Sequence, residues 1–135
     1  NWAILMGEKR IALTVHLMDD KLDSGDIITK EYLDINDHTK VGDIYNFINK
    51  NGPNLFIRAL DNLQKNIPTI PQSKDPNLVL RCYPRMPRDN EINWESSAKE
   101  IQRLINASSE PFSGAFTYID FTKIIHNNRI TFDRS

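Results

Sequence analysis

Residues 13–28 decide the fold, and they read LTVHLMDDKLDSGDII. Apolar residues take alternate positions from 13 to 17, which is typical of a strand that buries one face. Before Ile27, four aspartates and Gly25 crowd into residues 19–26, and Gly25 can take a positive φ. The pattern predicts two strands joined by an acidic loop, where rigid strands hold a carboxylate in a direction that suits proton chemistry. The alternative is an acidic hairpin turn that has no chemical role.

The composition of the chain is that of a globular protein. Its 135 residues include 17 basic and 18 acidic ones, so nothing indicates binding to nucleic acid or to an anionic membrane. No apolar run approaches the roughly 20 residues that a membrane span needs, and no signal peptide opens the chain. Cys82 is the single cysteine, which excludes an internal disulfide and favours a cytoplasmic location.

The rest of the chain is predicted to alternate helices and strands around a proline-rich segment. A short helix ends at Gly7, and Gly52-Pro53 is expected to stop one helix and begin the next, which runs to residue 66. Three prolines in residues 67–76 predict a linker. We therefore expect one domain at 1–66, the linker at 67–76 and a second unit at 77–135.

The second unit is expected to hold a loop, a helix and strands. Ser97 and Glu100 fit a capping box at the start of the helix. Strands are predicted at 115–119, 123–125 and 129–132, with a turn at 126–128.

Two isolated side chains receive a structural interpretation. His16 lies beside the acidic loop in sequence, and we interpret it as a hydrogen-bonded structural histidine and not as a catalytic one. Cys82 has no neighbouring base, which favours a small buried residue over a nucleophile. No histidine, cysteine or carboxylate shows metal-ligand spacing, so we predict no metal site.

Arg85 and Arg88 lie three residues apart in a loop that also contains Tyr83 and Trp94. A guanidinium binds phosphate oxygens through two parallel hydrogen bonds, and an aromatic ring can stack on a base or sugar. The alternative is a solvated loop with two unrelated arginines. The residues themselves leave both interpretations open.

Four segments, in this order, resemble the folate-dependent formyltransferases, and within them the nucleotide-sugar N-formyltransferases. They are NWAILMGE at 1–8, TVHLM with LDSGDI at 14–18 and 22–27, YPRMPRD with INW at 83–89 and 92–94, and PFSGAF at 111–116. Each motif alone is weak. Four in the right order over nearly the whole chain make the resemblance specific.

The resemblance implies an α/β fold, in which the C-terminal part of a Rossmann-like formyltransferase domain is followed by a small α+β unit. It implies transfer of a formyl group from the co-substrate N10-formyltetrahydrofolate to the amine of a nucleotide-linked amino sugar. By the match, Asp23 is the catalytic aspartate. The family's catalytic Asn and His, in an N-x-H motif, would precede Asn1, so we expect these 135 residues alone to be inactive.

The resemblance also implies roles for individual residues. Asp23 would orient the family's histidine and help to remove the amine proton. The segment that would line the folate pocket, mainly through its backbone, contains Asp19, Asp20 and Leu22. The residues expected to bind the nucleotide-sugar substrate are Tyr83, Arg85, Arg88 and Trp94.

Two other functions remain open at this point. One is methionyl-tRNA formyltransferase, although residues 71–135 hold nine Lys or Arg and eight Asp or Glu, so a basic tRNA-binding surface is not evident. The other is a non-catalytic binding domain that retains half of the fold. We expect no nucleic-acid or membrane partner, and the sequence leaves open the sugar, the nucleotide and the oligomeric state, a homodimer included.

Overall fold

The computed structural model describes residues 1–75, 79–119 and 128–132, the last range by its backbone. The predicted mixture of helices and strands is present. In chain order the elements are α1 (Trp2–Met6), β1 (Arg10–His16), β2 (Ile27–Asp34), α2 (Val41–Gln64), a 3-10 helix (Pro87–Asn90), α3 (Ala98–Ser108), β3 (Ala115–Ile119) and β4 (Asn128–Phe132). None of the helices in the described ranges is long and apolar enough to cross a membrane.

Two compact units make up the chain, and neither is a continuous stretch of sequence. The first consists of residues 1–9, 35–44 and 83–135, and the second of residues 10–34 and 45–82. The first is discontinuous because α3 bonds to residues far away in sequence: Asn106 and Gln102 both donate to the main-chain oxygen of Asp37. The division at residues 67–76, inferred from composition, remains a prediction.

In the second unit, β1 and β2 form the predicted antiparallel pair around the acidic loop. Arg10 lies opposite Asp34, and the register holds as far as Val15 opposite Thr29. The register then shifts, so that His16 lies opposite Ile27. A bulge of this kind bends the strand and redirects side chains at the end of the ladder.

The two helices predicted on either side of Pro53 are one helix, so that prediction is wrong. Pro53 lies inside α2, although it cannot donate the hydrogen bond that a helix interior requires. The same helix face stays buried on both sides of the proline, and this tertiary burial outweighs the local cost. The buried side chains are Val41, Ile44, Leu55 and Ala59. Asn51 also donates its side-chain amide to the Phe47 carbonyl, 2.9 Å away.

The first unit buries a small apolar core beside α3 and β3. Its largest buried side chains include Ile4, Ile92 and Phe116. The predicted capping box is confirmed: Ser97 accepts from the Glu100 amide, and Glu100 accepts from the Ser97 amide at 2.8 Å. The predicted end of α1 at Gly7, which has φ 69°, is also confirmed.

β3 pairs with β4 in antiparallel fashion, from Ala115 opposite Phe132 to Ile119 opposite Asn128. The strand predicted at 115–119 is confirmed, and the strand predicted at 129–132 begins one residue earlier. The strand predicted at 123–125 and most of the turn predicted at 126–128 lie outside the described residues.

Two glycines with opposite surroundings give a test of this fold. A Cβ atom added at Gly52, inside α2, would meet no other atom within 4 Å. We predict that Gly52→Ala raises the free energy of unfolding of the complete protein by about 0.5–1 kcal/mol, because glycine is the weaker helix former. Urea unfolding monitored by circular dichroism measures the change.

Gly25→Ala is the matched control, since the added Cβ atom would collide with the Leu17 carbonyl. We predict that it lowers the free energy of unfolding by about 1–3 kcal/mol. Equal effects of the two substitutions would contradict the described packing of Gly25.

Candidate functional site

The acidic loop between β1 and β2 is closed by its own hydrogen bonds. The Asp19 carboxylate accepts from the Ser24 hydroxyl at 2.6 Å and from the Lys21 amide at 3.0 Å. These bonds stabilise the charged form, so the Ser24 hydroxyl first and the Lys21 amide second lower the pKa of Asp19 from its ordinary 3.8. The Leu17 amide donates to the Asp26 carbonyl and completes the closure.

The positive φ in this loop lies at Asp23, whose φ is 56°, and not at Gly25, which could have adopted one. Gly25 is required for another reason: no side chain fits between its Cα and the Leu17 carbonyl. A left-handed conformation is uncommon outside glycine, and Asp and Asn adopt it at the least cost among other residues. Such a conformation is often found at functional sites.

The segment predicted as a linker supports this loop. The Gln72 side-chain amide donates to the main-chain oxygens of Asp23, at 3.1 Å, and Gly25, at 2.7 Å. Arg81, which lies beyond that segment, also donates to the Leu22 carbonyl, at 2.8 Å. These bonds are made to backbone atoms. They fix the path of the chain at residue 23 and do not involve the Asp23 carboxylate.

Two cavities border the acidic loop within the second unit. The first, of about 420 Å³, is lined among others by Leu22, Asp23, Arg81 and Cys82. The second, of about 440 Å³, is lined among others by Asp19 and Asp20 and also reaches Arg81. The structure therefore brings the predicted catalytic residue and the three predicted folate-pocket residues to one loop with space beside it.

Cys82 is exposed, so the expectation of a buried residue is wrong. Residues 79–82 form no helix or strand that could cover it, and the thiol lies at the border of the 420 Å³ cavity. In the described part of the chain, no three His, Cys, Asp or Glu side chains are grouped so that they could hold a metal ion.

His16 contacts Asp23, which the sequence analysis did not anticipate. Its Nε2 atom lies 3.5 Å from Asp23 Oδ1, and its Nδ1 atom lies 2.7 Å from the Leu17 carbonyl oxygen. The His16 side chain is 24% exposed and that of Asp23 is 73% exposed. The two residues are seven positions apart in sequence, and the strand end and the turn that follows bring them together.

In the first unit, Arg85 is held by the protein itself. Its guanidinium donates to the Asp89 carbonyl and the Asn90 Oδ1 atom, each at 2.7 Å, and approaches the Ser108 hydroxyl at 3.4 Å. Partial burial lowers the pKa of Arg85, and the Asp89 charge opposes this effect. A small cavity of about 140 Å³ lies beside it.

The other predicted substrate-binding residues of this unit are more accessible. Arg88 is exposed on the 3-10 helix. Tyr83 packs edge-on against Trp2, with ring centres 4.7 Å apart. Trp94 donates to the Thr117 hydroxyl at 3.0 Å and borders a cavity of about 590 Å³. Arg85 and Trp94 thus face different cavities, and a substrate role for these residues remains a prediction.

Family models match both parts of the chain. The model described as "Formyl transferase" matches residues 1–60, and that described as "Formyl transferase, C-terminal domain" matches residues 85–132. The chain belongs to the formyltransferase family, so the resemblance to that family found in the sequence is confirmed. The predicted fold class, part of an α/β Rossmann-like formyltransferase, is confirmed as well.

The proteins similar to this chain carry different names. A methionyl-tRNA formyltransferase of Clostridium perfringens is 31% identical over 96% of this chain and 42% of its own length. A 4-N formyltransferase from Francisella tularensis has 22% identity and a TM-score of 0.69 over 99% of this chain and 55% of its own. An N-formyltransferase from Helicobacter canadensis, complexed with folinic acid and dTDP-3-aminofucose, has 22% identity and a TM-score of 0.58 over 77% of this chain and 39% of its own. The chain therefore spans about two fifths of the curated relative that it matches.

Asp19 gives a pH-dependent prediction. Its pKa is lower in the folded loop than its ordinary 3.8, so its stabilising effect is complete above pH 3.8 and is lost as the pH falls through the folded value. We predict that wild type is more stable than Asp19→Asn at pH 7, and that this difference shrinks below about pH 4. Urea unfolding at several pH values measures it, and a difference that grows on acidification would contradict the described loop.

Arg85 and Arg88 are predicted to differ in their effect on stability. Arg85→Ala removes a half-buried donor and should lower the free energy of unfolding by about 1–3 kcal/mol. Arg88→Ala, the matched control on the exposed surface, should change it by less than about 0.5 kcal/mol. Thermal unfolding of both variants measures the difference, and equal effects would rule out an internal role for Arg85.

Proposed function

We propose that the complete protein transfers a formyl group from N10-formyltetrahydrofolate to a primary amine. Membership of the formyltransferase family supports the reaction, and the folinic acid complex of the Helicobacter canadensis relative supports a folate co-substrate. The observation that carries the proposal is Asp23: the residue that matches the family's aspartate by its motif lies in a left-handed turn and lines a cavity.

The chemistry assigns Asp23 the role of proton acceptor. The attack of an amine on the formyl carbon gives a tetrahedral oxyanion and a protonated nitrogen, and that nitrogen must lose a proton before the folate amine leaves. A carboxylate that is 73% exposed on a backbone-anchored turn is accessible to a bound amine. The oxyanion would be stabilised by the Asn and His that the family carries in its N-x-H motif.

The folate would lie against the acidic loop. The Asp19 carboxylate is occupied by hydrogen bonds inside the loop, so its proposed role is to shape the backbone there. Leu22 would contribute main-chain and apolar contacts, since its side chain is 72% exposed at the cavity border. Asp20 would lie at the edge of the second cavity.

Asp23→Asn tests the role of the carboxylate. Asparagine has the same shape and tolerates a positive φ, so we predict that the fold and folate binding persist. It cannot accept a proton, so kcat should fall by about 100- to 10,000-fold. The measurement is formyl transfer by the purified complete protein, with Asp61→Asn on the exposed face of α2 as control. A normal kcat for Asp23→Asn would show that Asp23 shapes the turn and has no catalytic role.

We further propose that the acceptor is a nucleotide-linked amino sugar. The charge of residues 71–135 is nearly balanced, whereas a tRNA surface would carry an excess of basic residues along many phosphates. Arg88 is exposed in the same loop as Tyr83 and Trp94, which suits one diphosphate with an adjacent ring. Arg85 would support this loop through its bonds to residues 89 and 90.

Methionyl-tRNA is the second candidate acceptor. The name of the Clostridium perfringens relative favours it, at 31% identity over most of this chain. A non-catalytic binding domain is the remaining alternative, and it predicts folate binding without turnover.

The two acceptors are separated by their salt dependence. We predict that the complete protein formylates dTDP-3-aminofucose more efficiently than methionyl-tRNA. The KM for the nucleotide sugar should rise by less than about 10-fold between 50 and 200 mM salt, because one diphosphate is bound. A tRNA-binding surface that contacts six or more phosphates would lose about 1,000-fold in affinity over the same range.

Arg88→Ala should raise the KM for the nucleotide sugar and leave the KM for the folate unchanged, while Arg58→Ala on α2 serves as an arginine control. Efficient formylation of methionyl-tRNA would contradict the proposed acceptor. So would an unchanged KM for the nucleotide sugar in Arg88→Ala.

A further inference from the structure

We propose that His16 is a positioning residue for Asp23: its Nε2 atom faces Oδ1 and leaves Oδ2 as the oxygen that accepts the amine proton. The inference rests on the proposed function, and it adds to that function a residue of this chain. His16 does not replace the histidine of the N-x-H motif, which the family carries at a different position.

The hydrogen bond between His16 and Leu17 determines where one proton of the ring lies. A carbonyl oxygen can only accept, so the 2.7 Å contact between Nδ1 and the Leu17 oxygen requires a proton on Nδ1. In neutral imidazole the Nε2 atom would then carry a lone pair. That lone pair would point at Asp23 Oδ1, 3.5 Å away, which is also an acceptor when the carboxylate is charged.

Two facing acceptors repel each other, so the proposed contact needs a proton between Nε2 and Oδ1. With that proton on Nε2, the carboxylate of Asp23 remains able to accept a proton from the amine.

The backbone holds the ring in this position. The register shift after Val15 places His16 opposite Ile27, at the last pair of the ladder. The close approach of Gly25 fixes the Leu17 carbonyl, which in turn accepts the Nδ1 proton. In the reaction, the proton would leave the attacking nitrogen for Oδ2 and pass to solvent, while the proton on Nε2 stays in place.

His16→Gln tests the catalytic consequence in the complete protein. We expect kcat to fall about 10-fold, which lies within the range of effects found for pairs of residues in contact. The KM values for folate and amine should stay unchanged. In the Asp23→Asn background the same substitution should have no further effect, because the carboxylate that it positions is gone. His38→Gln, at an exposed position in the first unit, is the control and should leave kcat unchanged. An undiminished kcat, or full additivity with Asp23→Asn, would overturn the proposal.

Long-range ¹H–¹⁵N NMR of histidine-labelled protein tests the geometry without an activity assay. We expect a proton on Nδ1 of His16 at neutral pH, and a change in the Nε2 signal of His16, but not of His38, in Asp23→Asn. A His16 that is protonated on Nε2 alone, or that does not respond to Asp23→Asn, would overturn the contact. If wild type transfers no formyl group while the NMR result holds, the proposed function fails and the His16–Asp23 contact stands.

Discussion

The close approach of Gly25 to the Leu17 carbonyl is the contact on which the acidic loop depends. It allows the chain to turn back so that the Leu17 amide meets the Asp26 carbonyl and β2 begins opposite β1. The same carbonyl orients the His16 ring, which reaches Asp23. A side chain at residue 25 would separate these groups, so the absence of a side chain at a glycine controls the placement of a carboxylate.

The predictable part of the fold consists of local patterns. Alternation along β1, the capping box of α3 and the glycine that ends α1 each depend on residues within a few positions of each other. The continuity of α2 through Pro53 could not be found in this way, because it depends on burial of one face along the whole helix. The exposure of Cys82 likewise depends on what lies around residues 79–82 and not on the cysteine itself.

The candidate site, like the fold, was predictable only where it depends on residues that are close together in the sequence. Asp23 was identified from its motif, but its positive φ and its contact with His16 arise from a register shift and from bonds to Gln72, 49 residues away. Arg85 and Arg88 looked equivalent in sequence. They differ because Ser108 and Asn90 surround the first guanidinium, and this required α3 to be placed beside the loop.

The central claim is that the backbone-anchored loop at residues 19–25 binds the folate and presents Asp23 to the amine. An NMR titration of the ¹⁵N-labelled complete protein with folinic acid tests it most directly. The account predicts that the amide signals of residues 19–25 shift with increasing occupancy, while those of residues 87–90 do not. Saturable binding that leaves the signals of residues 19–25 unmoved would contradict it.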